Sequence, residues 1–257
     1  NITPNGPDRN KIFAVQSFST GLWAAYGDYS VFYNPYPLDT FGVSKYDATS
    51  KWTTTPYANL FDAKSITRIA INPKNEKQVY FSSNFSGLLK FENDLPALLY
   101  DNANSSLQKI LIPGYTAIDV RINGSAFDKE GNLWMTNSLV EKGLHVLKAN
   151  GQWQGYPLTS LLSPLSISYG RLAIDKNGTK WACTNYGGLV GFNEKYNNKC
   201  ISIADGQDAG NLPVRDVRAV AIDTKNKLWI GTTEGLRIVQ NVDSFLTQNN
   251  LTSTSII

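Results

Sequence analysis

The 257-residue chain is poor in the residues from which most active sites are assembled: one histidine, one methionine and two cysteines. A nucleophile that relies on histidine would have to use His145, and a histidine-built metal centre needs partners that the sequence does not supply. Catalytic residues, metal ligands and cofactor sites are therefore not expected. The two cysteines, Cys183 and Cys200, permit one disulfide or none. No apolar run reaches the roughly 18 residues that a membrane-spanning helix requires. Charged residues make up only 18%, and the net charge is +3. The lysines and arginines are scattered, so nothing suggests a nucleic-acid stripe or a polybasic membrane patch. There is no low-complexity tract and no signal peptide. The chain opens at Asn1 without Met and reads as a mature or trimmed chain. Asn-x-Ser/Thr triplets occur no more often than the Asn and Ser content makes expected.

What the chain has is aromatic residues, 12% of the total, with 13 Tyr and 6 Trp. This bias favours strands over helices. It also has an internal repeat of about 47 residues. "FDKEGNLWMT" from Phe127, "IDKNGTKWAC" from Ile174 and "IDTKNKLWIG" from Ile222 align without gaps. Asp128, Asp175 and Asp223 open a turn by bonding their own backbone. Gly131, Gly178 and Asn226 supply the left-handed residue that ends it. A strand carrying Trp134, Trp181 or Trp229 then returns antiparallel. A third strand opened by glycine follows at Gly143, Gly188 and Gly235. "QWQGYPL" and "KCISI" read as fourth strands.

Two upstream units keep this order less cleanly. From Ser65, Asn72 stands in for the Asp and Tyr80 for the Trp. From Lys11 a hairpin leads to a third and fourth strand after Gly42. Five units of four short strands predict an all-β fold, a β-propeller of four-stranded antiparallel blades. The blades span residues 5–56, 62–101, 115–160, 165–205 and 214–257 of a single domain. Blade five shows only three clear strands before "NVDSFLTQNNLTSTSII", and "NITPNGP" is a poor closing strand. The chain is therefore expected to be part of a larger propeller of about seven blades. Blades are buried on both faces, so their strands should lack polar alternation. Cys183 and Cys200 fall on the second and fourth strands of one blade, about 9.5 Å apart, too far to bridge. Two free thiols are expected.

The repeat "AVAIDTKNKLWIGTTEGLRIV" resembles the propeller repeats of two-component regulators, which form periplasmic sensor domains of hybrid histidine kinases. "GLWAAYGDYSVFYNPYPLDTFGVSKY", "ITRIAINPKNEKQVYFSSNFSGLLKFENDLPALLY" and "NVDSFLTQNNLTSTSII" resemble the PorZ family of type IX secretion accessory proteins of Bacteroidota. That resemblance implies an exported protein of the periplasm or outer-membrane surface. It implies a non-catalytic scaffold that contacts the sortase and other attachment-complex proteins, with anionic lipopolysaccharide as a further ligand. The other readings are a glycan-sensing propeller of a hybrid sensor kinase and a lyase-type propeller enzyme, for which one strand histidine is too little.

Two sets of residues stand out as candidate binding sites. Arg68, Arg121, Arg171 and Arg218 each lie near the start of a first strand, which in a propeller lines the central channel. Guanidinium groups there suit phosphate or carboxylate. The competing reading is local pairing with Asp119, Asp208 or Asp216. The second set lies in "YGDYSVFYNPYPLDTFG", between strands two and three of blade one, an insertion of about ten residues relative to "TTEG" of blade five. Tyr29, Phe32, Tyr33, Tyr36 and Phe41 form either a partner- or glycan-binding surface or a lid on the blade core.

Overall fold

A computed structural model describes residues 5–47, 51–111, 113–158 and 162–256. Five four-stranded antiparallel sheets are present, each with its strands paired in chain order. They fall into two compact units, Asn1–Asn123 and Gly124–Ile257. The predicted all-β blade architecture is what the structure shows. Among the described residues no helix is long and apolar enough to cross a membrane.

The first unit holds two blades. Blade one is β1 (Ala14–Phe18), β2 (Gly21–Ala25), β3 (Val43–Asp47) and β4 (Lys51–Thr55). Blade two is β5 (Ile66–Ile71), β6 (Gln78–Ser83), β7 (Gly87–Glu92) and β8 (Leu95–Tyr100). They pack through Trp23, Val43, Ile66, Phe81, Leu89 and Phe91. The Trp23 indole meets Phe81 and Phe91 edge-on, at centroid distances of 5.4 and 5.5 Å. Burial of such large rings between the two blades is a major part of what holds them together.

The second unit holds three blades. Blade three is β9 (Ser125–Phe127), β10 (Leu133–Thr136), β11 (Leu144–Leu147) and β12 (Trp153–Tyr156). Blade four is β13 (Tyr169–Ile174), β14 (Lys180–Thr184), β15 (Leu189–Asn193) and β16 (Lys199–Ile203). Blade five is β17 (Val217–Ile222), β18 (Leu228–Thr232), β19 (Gly235–Val239) and β20 (Thr254–Ser255). Every residue of β10, β11, β14 and β15 is buried, the expected signature of strands covered on both faces. The strand β17 departs from it: "VRAVAI" alternates between more and less buried positions.

The ambiguous tail of blade five resolves into a 3₁₀ turn, Val242–Leu246, that buries Val242 and Phe245. The two-residue β20 then pairs with β19 through Arg237↔Ser255 and Ile238↔Thr254. Cys183 is buried on β14 and Cys200 lies on β16, with β15 between them, and both are free thiols. Burial pushes the Cys200 thiol up to about 12.

Candidate functional site

The three Asp turns are built alike. Each Asp accepts the backbone N–H four residues on through Oδ1: Asn132 at 2.8 Å, Thr179 at 2.9 Å and Lys227 at 2.9 Å. Each Oδ2 accepts the indole N–H of the following strand: Trp134 at 2.8 Å, Trp181 at 3.0 Å and Trp229 at 3.1 Å. Gly131, Gly178 and Asn226 take φ of 92°, 82° and 60°. Both carboxylate oxygens are committed to the hairpin, so these groups brace turns. Burial works against ionisation of Asp128, but the donors Asn132 and Trp134 outweigh it and hold the carboxyl below its ordinary value.

His145 is fully buried on β11, and its Nε2–H donates to the Lys142 carbonyl at 2.8 Å. It faces Gly155 of β12, where a Cβ would come within 2.8 Å of the imidazole. Burial lowers its pKa to about 4. A neutral imidazole sealed in this way is out of reach of any substrate.

The four arginines do not occupy one register position. Arg68 follows a bulge in β5 and stands opposite Ser82. Arg171 lies within the equivalent bulge of β13, and Arg218 occupies the bulge of β17, the place that Thr67 takes in β5. Arg121 precedes β9 altogether. Arg68 and Arg171 are each the third residue of their strand, whereas Arg218 is the second of β17, so side chains that alternate along a strand do not present all four as equivalent groups. Their partners differ as well. Arg121 is bidentate to Asp119, with Nε–Oδ1 at 2.9 Å and Nη2–Oδ2 at 2.7 Å, and Asp119 is buried. Arg218 Nη2 donates to Asp216 Oδ2 at 2.5 Å. Arg68 donates to the Thr67 carbonyl at 2.6 Å and to the Tyr29 phenol at 2.8 Å. Arg171 is exposed and has no polar partner among the described residues.

Residues 26–42 connect β2 to β3, and the structure divides their aromatic side chains between lid and surface. Tyr33 is buried at 2% exposure. It closes a turn with its N–H on the Ser30 carbonyl and a φ of 58°. Its ring stacks on Tyr29 at 5.1 Å, and Tyr29 meets Phe13 edge-on at the same distance. The Tyr33 carbonyl accepts Asn84 Nδ2 at 3.1 Å. Asn84 Oδ1 in turn accepts Asn123 Nδ2 at 2.9 Å. This buried amide pair ties the loop to the core of the first unit. Phe41 carries the guanidinium of Arg9 over its ring at 3.9 Å. Phe32 and Val31 point outward, 71% and 66% exposed.

Tyr36 is half-exposed, packs on Phe85 and shares a 2.6 Å hydrogen bond with the Tyr115 phenol. Tyr115 reaches Asp119, the partner of Arg121. Within the first unit, then, the structure joins Tyr29 to Arg68 directly and Tyr36 to Arg121 through two intermediates. Arg171 and Arg218 belong to the second unit.

The sequence reading missed the polar residues around this loop. A pocket of about 310 Å³ opens between Tyr29, Pro35, Tyr36 and Pro37, with Asp28 and Asp39 also lining it. Lys11 Nζ pairs with Asp28 Oδ2 at 2.5 Å. Asp39 Oδ2 accepts the Asp28 N–H at 2.8 Å. Burial raises the Asp39 pKa, and the Asp28 charge adds to the effect. The available signal was a carboxylate at each flank of the aromatic run, in "GDY" and "LDT".

No family model and no curated protein sequence matches the chain. Solved structures do. PorZ, a surface component of the type IX secretion system of Porphyromonas gingivalis, superposes with a TM-score of 0.84 at 18% identity, over 99% of this chain and 36% of that one. The extracellular domain of a hybrid two-component system from B. thetaiotaomicron gives 0.59 at 19% identity, over 91% and 27%. Virginiamycin B lyase from Staphylococcus aureus gives 0.65 at 12%, over 97% and 71%. In a further structure of that lyase, replacement of one histidine by alanine leaves it catalytically inactive. At these identities the likeness establishes the fold, a β-propeller. The chain spans about a third of the length of the PorZ chain it matches.

Proposed function

We propose that this chain is a non-catalytic binding module exported to a bacterial periplasm or outer surface, where it docks protein partners of a type IX attachment complex, the sortase among them. The observation that carries the reading is the construction of residues 26–42. Tyr29 and Tyr33 anchor the loop to its own unit, while Val31 and Phe32 stand in solvent above them. Exposed apolar side chains on an anchored loop lose little entropy on binding, which favours protein docking. The likeness to PorZ across nearly the whole chain supports the surface location and the class of partner. Against a lyase-type enzyme stands His145, whose ring is enclosed in β11.

The test is a photo-crosslinking phenylalanine analogue placed at position 32 and irradiated in the native cell envelope. The expected product is a covalent adduct with a component of the attachment complex. Adducts with none of these components, or none at all, overturn the reading.

Anion binding is proposed more narrowly than as a role for all four arginines. The guanidinium groups of Arg121 and Arg218 already face carboxylates, whereas that of Arg171 is open to solvent. The anionic-glycan contact is therefore centred on Arg171. Arg171→Ala should weaken binding of a phosphorylated glycan several-fold, and unchanged affinity removes the site.

A further inference from the structure

The connection from blade one to blade two follows its 3₁₀ turn, Tyr57–Asn59, with a set of left-handed residues. Phe61 takes a φ of 53°, Asp62 of 64° and Ser65 of 48°. That conformation crowds Cβ against the backbone and is an outlier for a bulky side chain. The connection into blade five makes a comparable 3₁₀ turn, Gln207–Ala209, but follows it with Gly210 at φ 120° and Asn211 at φ 61°. Those two residue types adopt it readily. Phe61 is also 52% exposed, whereas Leu60 and Ala63 beside it are buried. Backbone and solvent thus both disfavour a phenylalanine here, and asparagine or glycine would serve the fold better.

The turn is nonetheless tightly fixed. The Leu60 N–H donates to the Tyr57 carbonyl at 2.8 Å and the Ala63 N–H to the Leu60 carbonyl at 3.0 Å. The Asp62 carboxylate accepts the Tyr57 phenol and pairs with Lys64 Nζ at 2.6 Å. Ser86 Oγ donates to the Asp62 carbonyl at 3.3 Å and accepts the Lys64 N–H at 3.1 Å. Backbone strain held by such an over-determined surround is characteristic of functional positions. A ring displayed from a rigid turn also loses little entropy on binding.

The turn is bonded to the base of the insertion loop. The Ser65 N–H donates to the Asp39 carbonyl at 2.8 Å, and the Asp39 N–H to Ser65 Oγ at 3.1 Å. Lys64 Nζ lies 6.0 Å from the centroid of the Phe85 ring, which packs on Tyr36. Phe61 and Phe32 therefore stand on one bonded framework within the first unit. The polar groups next to Phe61 cancel in charge and are engaged with one another, so they are not arranged to hold the hydroxyls of a stacked sugar. An exposed ring in neutral surroundings fits an apolar socket, the environment that aromatic side chains fill at the cores of protein interfaces.

We infer that Phe61 is a second docking anchor, whose ring enters an apolar socket on a protein partner. The inference deepens the docking function proposed above and rests on it for the class of partner.

Phe61→Asn separates anchoring from folding. Asparagine accepts the left-handed backbone, so the melting temperature of the full chain should hold or rise by about 2 °C. In the same variant the yield of adducts from the photo-crosslinker at position 32, irradiated in the native cell envelope, should fall several-fold. The crosslinker placed at position 61 of the otherwise natural chain should itself join an attachment-complex component. A fall in melting temperature would show that the ring packs in the fold, and overturns the inference. So does an unchanged adduct yield from position 32, or the absence of such adducts from position 61. Adducts at position 32 that do not depend on Phe61 would leave the docking function standing and remove this anchor. Adducts with an attachment-complex component from position 61 and none from position 32 would keep this anchor and overturn the reading built on Phe32.

Discussion

Arg68 Nη2 donates to the phenol oxygen of Tyr29 at 2.8 Å, and so couples the first strand of blade two to the insertion loop of blade one. The guanidinium also lies over the Phe13 ring, 5.2 Å from its centroid. An arginine read from the sequence as a channel-mouth anion ligand is thus also a structural tie for the lid. With Tyr33 beneath Tyr29 and the Asn84 amide holding the Tyr33 carbonyl, half of the loop belongs to the fold.

The two halves of the loop should separate under mutation. Tyr33→Ala removes a buried ring and leaves a cavity under Tyr29, at a cost of about 3 kcal/mol. Phe32→Ala, on an exposed side chain, should change stability by less than about 0.5 kcal/mol while reducing partner binding. Urea denaturation and a partner-binding assay on both variants measure this. Equal stability losses would mean that Phe32 is packed as well.

The Asp turns should rank by burial. Asp175 is buried and its side chain takes three hydrogen bonds, from the Asn177 and Thr179 N–H groups and the Trp181 indole. Asp175→Ala leaves those donors without partners, a loss of about 2–3 kcal/mol. Asp223 makes the equivalent bonds at the surface, where water can replace its carboxylate. Asp223→Ala should therefore lower the melting temperature measurably less than Asp175→Ala. The reverse order would place the strain of these hairpins elsewhere.

These turns were legible in the sequence because each is local: an Asp, a left-handed residue three positions on and a Trp at a fixed distance define the hairpin without outside help. Most of the strands followed from them. The division of the loop was not legible, because the groups that decide it are remote. Phe13, Arg68 and Asn84 hold Tyr29 and Tyr33 inward, and each comes from a different strand or turn. The arginine set was legible as a recurrence but not as a geometry. Arg68 and Arg171 share one place, the third residue of β5 and β13, but Arg218 is the second residue of β17 and Arg121 precedes β9, and the Tyr29 phenol that sets Arg68 apart is remote in the chain. The short β20 escaped for a similar reason: two residues carry no periodicity, and their pairing depends on the 3₁₀ turn that returns the chain to β19.

Gly191 should tolerate no side chain. It stands opposite Trp181 in the β14–β15 ladder, and a Cβ there would lie 2.5 Å from the indole. Trp181 is fully buried, and its N–H is held by Asp175, so the ring has nowhere to retreat. Gly191→Ala should cost about 1–3 kcal/mol, in the range of overpacked cores. The near-ultraviolet circular dichroism of the tryptophans should change with it. A variant of unchanged stability would show that Trp181 repacks freely.

His145 gives the fold a defined acid sensitivity. Its folded pKa, about 4, lies below the ordinary 6.5 because burial opposes the charged form. The unfolded chain then binds a proton between those values that the folded chain does not. Stability contributed by the neutral ring is present above about pH 6.5, falls as the pH drops and is lost by about pH 4. A difference of this size amounts to about 3 kcal/mol. Carboxylates such as Asp128, whose pKa is lowered in the fold, weaken the protein in the same direction. A comparison with a variant isolates the histidine. His145→Gln keeps a donor for the Lys142 carbonyl and cannot titrate. Urea midpoints at pH 7.5, 5.5 and 4.5 should fall steeply for the natural chain and less so for the variant, which retains the carboxylate contribution alone. Parallel slopes would mean that the imidazole is protonated in the folded chain and that the space opposite Gly155 admits water.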